Sequence, residues 1–213
     1  MATPSDGART VTARAQRADA RRSVEAILGA AVACLARDPE ASVVEVAAAA
    51  GVGRVTLYSH FKTRADLVDA ALVRTVERAD QILDGTDTTG DPVEALTRLV
   101  ASSWQIVDQF RNILLAATRE LPAERIRSVH DRILRRIQTL IERGQRTGAL
   151  RTDLPKRWML TTVFSLIHAA AEDAAAGRVK VDQASGLITA TLVAAFTPPG
   201  AMVPAVASGG QRL

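Results

Sequence analysis

Residues 51–64 carry the side chains of this 213-residue chain that best suit contact with a polyanion. Arg54, Lys62 and Arg64 place three positive charges in this short stretch, and no Asp or Glu lies among them. Arg and Lys hold phosphate oxygens through charge-assisted hydrogen bonds and displace the counterions of DNA. The stretch therefore indicates binding to nucleic acid, provided that the fold exposes these side chains together.

Two short helices joined by a tight turn are predicted to position this stretch. Ser42 and Glu45 have the spacing of a capping box, which starts a helix, and Gly51 provides the backbone freedom that ends it. In the helix that follows, Leu57 and Phe61 stand about one turn apart and should be buried together. Helix-turn-helix modules have this arrangement, and their second helix lies in the major groove of DNA. An ordinary amphipathic helix pair with a glycine turn is the alternative interpretation.

The segment AAAAGVGRVTLYSHFKTRADLVDAAL, residues 47–72, resembles the DNA-binding segment of the tetracycline-repressor (TetR) family of bacterial transcription regulators. The string Leu57-Tyr58-x-His60-Phe61 is its most specific part. The chain departs from the family pattern at Gly53, where Ser or Thr often caps the recognition helix, and at Val55, where a small residue is usual. The resemblance implies phosphate contacts from Tyr58, His60, Lys62 and Arg64. It implies major-groove contacts from Arg54, Val55, Thr56 and Ser59.

The resemblance also implies an architecture and a function for the whole chain. We expect an all-α protein with an N-terminal three-helix DNA-binding domain containing the helix-turn-helix, and a C-terminal helical ligand-binding and dimerisation domain. It would act as a homodimeric repressor that a small-molecule ligand releases from an inverted-repeat operator in double-stranded DNA. Two alternatives stay open: a helical small-molecule-binding protein or enzyme with an incidental helix-turn-helix, and an architectural DNA binder without a ligand.

Breaks in the helical pattern divide the chain into four parts. A flexible basic tail (1–18) precedes the DNA-binding domain (19–83, with the motif at about 42–61), and the ligand domain (91–197) precedes a flexible C-terminal tail (198–213). Apolar spacing and the Pro and Gly breaks predict helices over 19–37, 63–83, 92–110, 112–120, 123–146, 155–176 and 181–196. The basic residues near the N-terminus either follow DNA phosphates or remain solvated. These residues are Arg9, Arg14, Arg17, Arg21 and Arg22.

Four aromatic side chains and one histidine of the second domain are candidates for lining a ligand pocket. They are Trp104, Phe110, Trp158, Phe164 and His168, and ordinary core packing is the alternative for each of them. The last two helices are rich in Ala, Thr, Ser and Gly, so they can approach another helix closely. By the family layout, they are expected to pair with those of a second copy.

The sequence offers no pattern typical of an enzyme or a metal site. His60, His130 and His168 lack the spacing and the partners of metal ligands, and no cofactor is expected. With 47% hydrophobic but only 3% aromatic residues, the cores should consist mainly of aliphatic side chains. No apolar run suggests a membrane span or a signal peptide, so we expect a cytoplasmic protein in which the single Cys34 is a buried thiol.

Overall fold

The computed structural model describes residues 6–204, with the side chains of residues 18–204. These residues form nine α-helices and no strands, so the predicted all-α fold is confirmed. The first four helices are α1 (Asp6–Arg37), α2 (Val43–Ala49), α3 (Arg54–His60) and α4 (Arg64–Leu83). The remaining five are α5 (Pro92–Glu120), α6 (Ala123–Val129), α7 (Asp131–Thr147), α8 (Lys156–Ala175) and α9 (Val181–Phe196).

The predicted turn between α2 and α3 forms as its residues dictate. Ser42 Oγ accepts a hydrogen bond from the backbone N–H of Glu45 (3.2 Å), and the Glu45 carboxylate accepts one from the backbone N–H of Ser42 (2.7 Å). Gly51 follows α2 with φ of 66°, a left-handed conformation that residues with a side chain rarely adopt. Leu57 is completely buried and Phe61 nearly so, which fixes α3 against the core.

Helix α4 joins the first three helices to the later ones, and it packs against both α1 and α5. Two of its carboxylates also hold arginines of later helices. Asp69 pairs with Arg125 of α6 through contacts of 2.7 and 2.9 Å. The buried Asp80 pairs with Arg132 (3.0 Å) and Arg136 (3.1 Å) of α7. The position of α4 is therefore set by contacts with α1 on one side and with α5, α6 and α7 on the other.

Helix α5 is the centre of the second domain and packs against α7, α8 and α9 as well as α4. Asp91 caps it by accepting hydrogen bonds from the backbone N–H groups of Val93 (2.9 Å) and Glu94 (3.0 Å). The backbone leaves helical geometry at Phe110, where φ is −115° and ψ is 15°. The sequence predicts a break between two helices at this point, and the structure has a kink within one helix.

Two other helix boundaries differ from the prediction. The predicted helix 123–146 is divided at His130 (φ −84°, ψ 2°), whose ring Nδ1 donates to the carbonyl of Ile126 (2.7 Å). Helix α1 begins at Asp6, so residues 6–18, which we expected to be a flexible tail, belong to its first turns. Ala and Arg, both good helix formers, predominate in this segment. The side chains of Arg9, Arg14 and Arg17 and all of residues 205–213 lie outside the described residues.

Helix α7 ends at Thr147, one residue beyond the predicted end, and Gly148 follows it with φ of 76°. Gly144 is buried inside the helix because Leu150 folds back on it. A Cβ atom at Gly144 would lie 2.5 Å from Cγ of Leu150, closer than carbon atoms can approach. This glycine thus permits a close contact, while Gly148 provides the turn.

The core consists mainly of aliphatic side chains, as the composition predicts. Cys34 of α1 is buried, also as predicted. Within residues 6–204, no helix combines the length and apolar character needed to cross a membrane.

Candidate nucleic-acid interface and ligand cavity

Six side chains at and just beyond α3 form one exposed polar surface, which we term the recognition surface. It comprises Arg54, Val55, Thr56, Tyr58, Ser59 and Lys62, all exposed to solvent. Val55 is 86% exposed, an unusual position for an aliphatic side chain. The surface thus offers two cations, three hydroxyl groups and one aliphatic side chain.

The recognition surface exists because α3 is short and buries one side only. Leu57 turns inward, and the residues on either side of it face solvent. Gly53 precedes the helix with no side chain to cap it, so the first backbone N–H groups of α3 are left without a side-chain partner. His60, in the last turn, is half-buried and belongs to the edge of the surface.

Arg64 does not join the recognition surface, although the family resemblance implies a phosphate contact there. Its guanidinium donates to the carbonyl oxygens of Pro39 (2.7 Å) and Ala41 (3.3 Å) and pairs with the carboxylate of Glu120. Its side chain is only 26% exposed. Arg64 therefore connects the loop before α2 and the end of α5, and its donors are used within the protein.

A largely apolar cavity lies between α4, α5, α7 and α8. About 730 Å³ of space lies between its lining side chains, a figure that includes open solvent. Of the five candidate residues, Phe110, Phe164 and His168 line it. The other two do not. Trp104 is buried in the core, and its indole Nε1–H donates to the carbonyl of Val181 (3.1 Å). Trp158 lies on the outer surface of α8 and is 60% exposed.

Several cavity residues could not be selected from the sequence. Helix α4 contributes Leu72, Thr75, Val76, Ala79 and Leu83, whose apolar spacing predicts a buried face but not what that face covers. His130 lines the cavity because the helix is divided at this residue. Ser103 of α5 gave no signal that distinguishes it from other serines of the chain.

Two histidines form an aromatic cluster with Phe164 at the cavity wall. The ring centroids of Phe164 and His168 are 3.9 Å apart, and those of His130 and His168 are 5.2 Å apart. Burial, with a smaller contribution from the neighbouring His130, lowers the pKa of His168 to about 4. Burial also lowers the pKa of His130. His168 is therefore neutral at pH 7.

Helices α8 and α9 pack against each other, and both expose small and apolar side chains. Trp158, Ser165 and Ala169 recur at helical spacing on α8, and Leu187, Ala190 and Ala194 do so on α9. Leu187 is 54% exposed. We term this surface the α8–α9 face. Among the described residues, no group of three or more His, Cys, Asp or Glu side chains could hold a metal ion.

Part of this chain is similar in sequence to known regulatory proteins. Residues 27–71 match the family model for bacterial regulatory proteins of the tetR family. The HTH-type transcriptional repressor LfrR of Mycolicibacterium smegmatis is 38% identical over 82 residues, which are 38% of this chain and 43% of LfrR. This alignment thus spans less than half of the curated relative.

Solved structures extend the likeness to most of the chain. The structure of LfrR in complex with proflavine is 28% identical, with a TM-score of 0.61, and the match covers 81% of this chain and 94% of that one. FadR of Bacillus subtilis in complex with stearoyl-CoA has a TM-score of 0.64 at 18% identity, covering 81% of this chain and 99% of that one. At this low identity, the second match shows the shared fold only.

Proposed function

We propose that this chain, which belongs to the TetR family of bacterial regulatory proteins, is a sequence-specific transcriptional repressor. It acts as a homodimer in the cytoplasm, binds an inverted-repeat operator, and leaves the operator when a small molecule enters the cavity. The observation that carries the proposal is the recognition surface: an exposed α3, held by the buried Leu57 within a segment that matches the family model.

The recognition surface has the chemistry that reading DNA requires. Lys62 and Tyr58 are placed to hold phosphates, and Arg54 is placed to donate to a base edge in the major groove. The exposed Val55 suits an apolar contact such as a thymine methyl group. We keep His60 as a phosphate contact at the edge of the surface and leave Arg64 out of the proposed site.

The α8–α9 face supports the homodimer. Exposed small and apolar side chains on two adjacent helices suit packing against a second copy across a two-fold axis. Such a dimer reads two half-sites when its recognition helices lie roughly 34 to 36 Å apart, one turn of DNA. The proposed ligand changes this spacing.

Helix α4 is the element through which the cavity and the DNA affect each other. It lines the cavity, packs against α1, and is joined to α6 and α7 through Asp69 and Asp80. A ligand releases DNA only if it binds the DNA-incompetent arrangement more tightly than the competent one. The proflavine complex of LfrR supports a small-molecule role for this cavity.

Selection of binding sites from fragmented DNA of the source genome tests the proposal. The repressor should enrich a few sites that contain an inverted repeat with half-sites about one helical turn apart. Uniform recovery of all fragments would identify an architectural DNA binder instead, and no recovery above a protein-free control would argue against any DNA-binding function.

A further inference from the structure

We propose that the cavity selects an uncharged aromatic molecule with a hydrogen-bond donor, and that Nε2 of His168 accepts from that donor. The regulatory meaning of this inference rests on the proposed function, but the binding chemistry does not.

The cavity wall contains no charged side chain. Thr75, Ser103, His130 and His168 are its only polar side chains among the described residues, and the others are hydrocarbon. Arg127 lies nearby, with its Cζ 5.4 Å from the centroid of Phe164, but it does not line the cavity. An ion entering this space would lose its hydration without gaining an opposite charge. The lining therefore disfavours carboxylates, phosphates and ammonium groups.

The hydrogen bonds within the wall determine what its polar groups have left to offer. Nδ1 of His168 lies 2.7 Å from the carbonyl oxygen of Phe164, and Nδ1 of His130 lies 2.7 Å from that of Ile126. A carbonyl oxygen can only accept, so each Nδ1 carries the hydrogen. In a neutral imidazole, Nε2 then has a lone pair and no hydrogen, which makes it an acceptor.

Thr75 follows the same rule. Its hydroxyl donates to the carbonyl oxygen of Ala71 (2.8 Å), so only its lone pairs remain for a ligand. Three of the four polar wall groups thus offer acceptors and no donor, and only Ser103 is left to do either. A carboxylate, which can only accept, has no partner on His168, His130 or Thr75, whereas a hydroxyl or N–H group has three.

His168 has the acceptor that would gain most from a ligand, because its Nε2 is buried and has no hydrogen-bond partner among the described residues. A buried polar atom without a partner is unusual and costs stability. A donor on the ligand would satisfy it. The rings of Phe164, His168 and His130 meet at centroid distances of 3.9 to 5.4 Å, and with Phe110 they give the wall aromatic edges and faces that suit a flat ring.

The test uses four naphthalene probes of one ring size, titrated into the full chain by calorimetry at neutral pH. They are naphthol, its methyl ether, naphthoate and naphthylmethylammonium. We expect naphthol to bind about tenfold tighter than the ether, which cannot donate, and the two ions to bind more weakly than the ether. His168→Phe keeps a ring and removes Nε2, so it should abolish the preference for naphthol while the ether still binds.

Gln138→Phe, which adds a ring at an exposed position of α7 outside the cavity, is the control and should retain the preference. Circular dichroism and thermal melting establish that each variant folds. If His168→Phe does not fold, the order of the four probes on the unaltered chain decides the question. The inference is overturned if either ion binds as tightly as naphthol, if naphthol and its ether bind equally, if folded His168→Phe keeps the preference, or if naphthol does not bind saturably.

Parallel titrations of genomic operator DNA without any probe separate the two proposals. Normal DNA binding with the wrong probe order would remove this inference and leave the repressor intact. The expected probe order in a protein that binds no DNA specifically would remove the proposed function and leave the cavity chemistry standing.

Discussion

Lys62 and Arg64 are two positions apart, yet their side chains have different surroundings. Lys62 is exposed at the end of α3, where a phosphate contact would release roughly one counterion from DNA. Lys62→Ala should therefore weaken binding to specific and random DNA alike, and should reduce the slope of log affinity against log salt by about one. Fluorescence anisotropy titrations at several salt concentrations measure both effects.

Lys180→Ala is the matched control for this measurement. Lys180 is also exposed, but it precedes α9, far along the chain from the recognition surface. Its removal should leave the affinity and the salt slope unchanged. An unchanged slope for Lys62→Ala itself would show that Lys62 does not contact phosphate.

Arg64→Ala should mainly change stability. The substitution removes a guanidinium that serves two backbone carbonyls and the carboxylate of Glu120, at a cost of roughly 1 to 3 kcal/mol. Urea unfolding at fixed protein concentration measures this loss. A lower salt slope with unchanged stability would instead support the phosphate contact that the family resemblance implies.

At the scale of the helices, local signals were sufficient to place most boundaries. The capping residues Ser42 and Asp91 and the apolar spacing of each helix act over a few residues, and such signals are readable in one sequence. The kink at Phe110 is local too, and it lies where a break was predicted. The division at His130 was not predicted, because no Pro or Gly marks it.

The direction of individual side chains depends on distant residues and was harder to predict. Arg64 faces inward because of Glu120, which lies 56 positions away. Trp104 and Trp158 share a side-chain type, but one is core and the other is exposed. Composition and spacing cannot distinguish such cases. The sequence therefore predicted three of the cavity residues and missed His130, Thr75 and Ser103.

The glycines of the helices provide a test of how α7 packs against the segment that follows it. Gly144→Ala should destabilise the fold by about 1 to 3 kcal/mol, because the added methyl group would overlap the buried Leu150. Gly29→Ala, on an exposed face of α1 with nothing near its Cβ position, should stabilise by about 0.5 to 1 kcal/mol. Chemical denaturation of both variants should show opposite signs. Equal effects would mean that Leu150 does not pack against Gly144.

At the scale of the whole molecule, binding to an inverted repeat requires two copies of the chain. Ala194→Arg places a charge on the α8–α9 face, where packing against a second copy would bury it. Sedimentation velocity should show monomers that retain their helical circular dichroism and bind an inverted repeat poorly. Gln138→Arg adds the same charge to an exposed position of α7 and should remain dimeric. A dimeric Ala194→Arg protein with normal affinity would place the interface elsewhere.

A sequence-specific repressor must bind its operator more tightly than other DNA of the same length. The most direct measurement compares its affinity for a selected genomic inverted repeat with its affinity for a shuffled duplex of the same length and composition, at one near-physiological salt concentration. We expect a preference on the order of a thousandfold or more for the inverted repeat. Affinities within a few fold of each other would contradict it, because the recognition surface would then bind phosphates without reading bases.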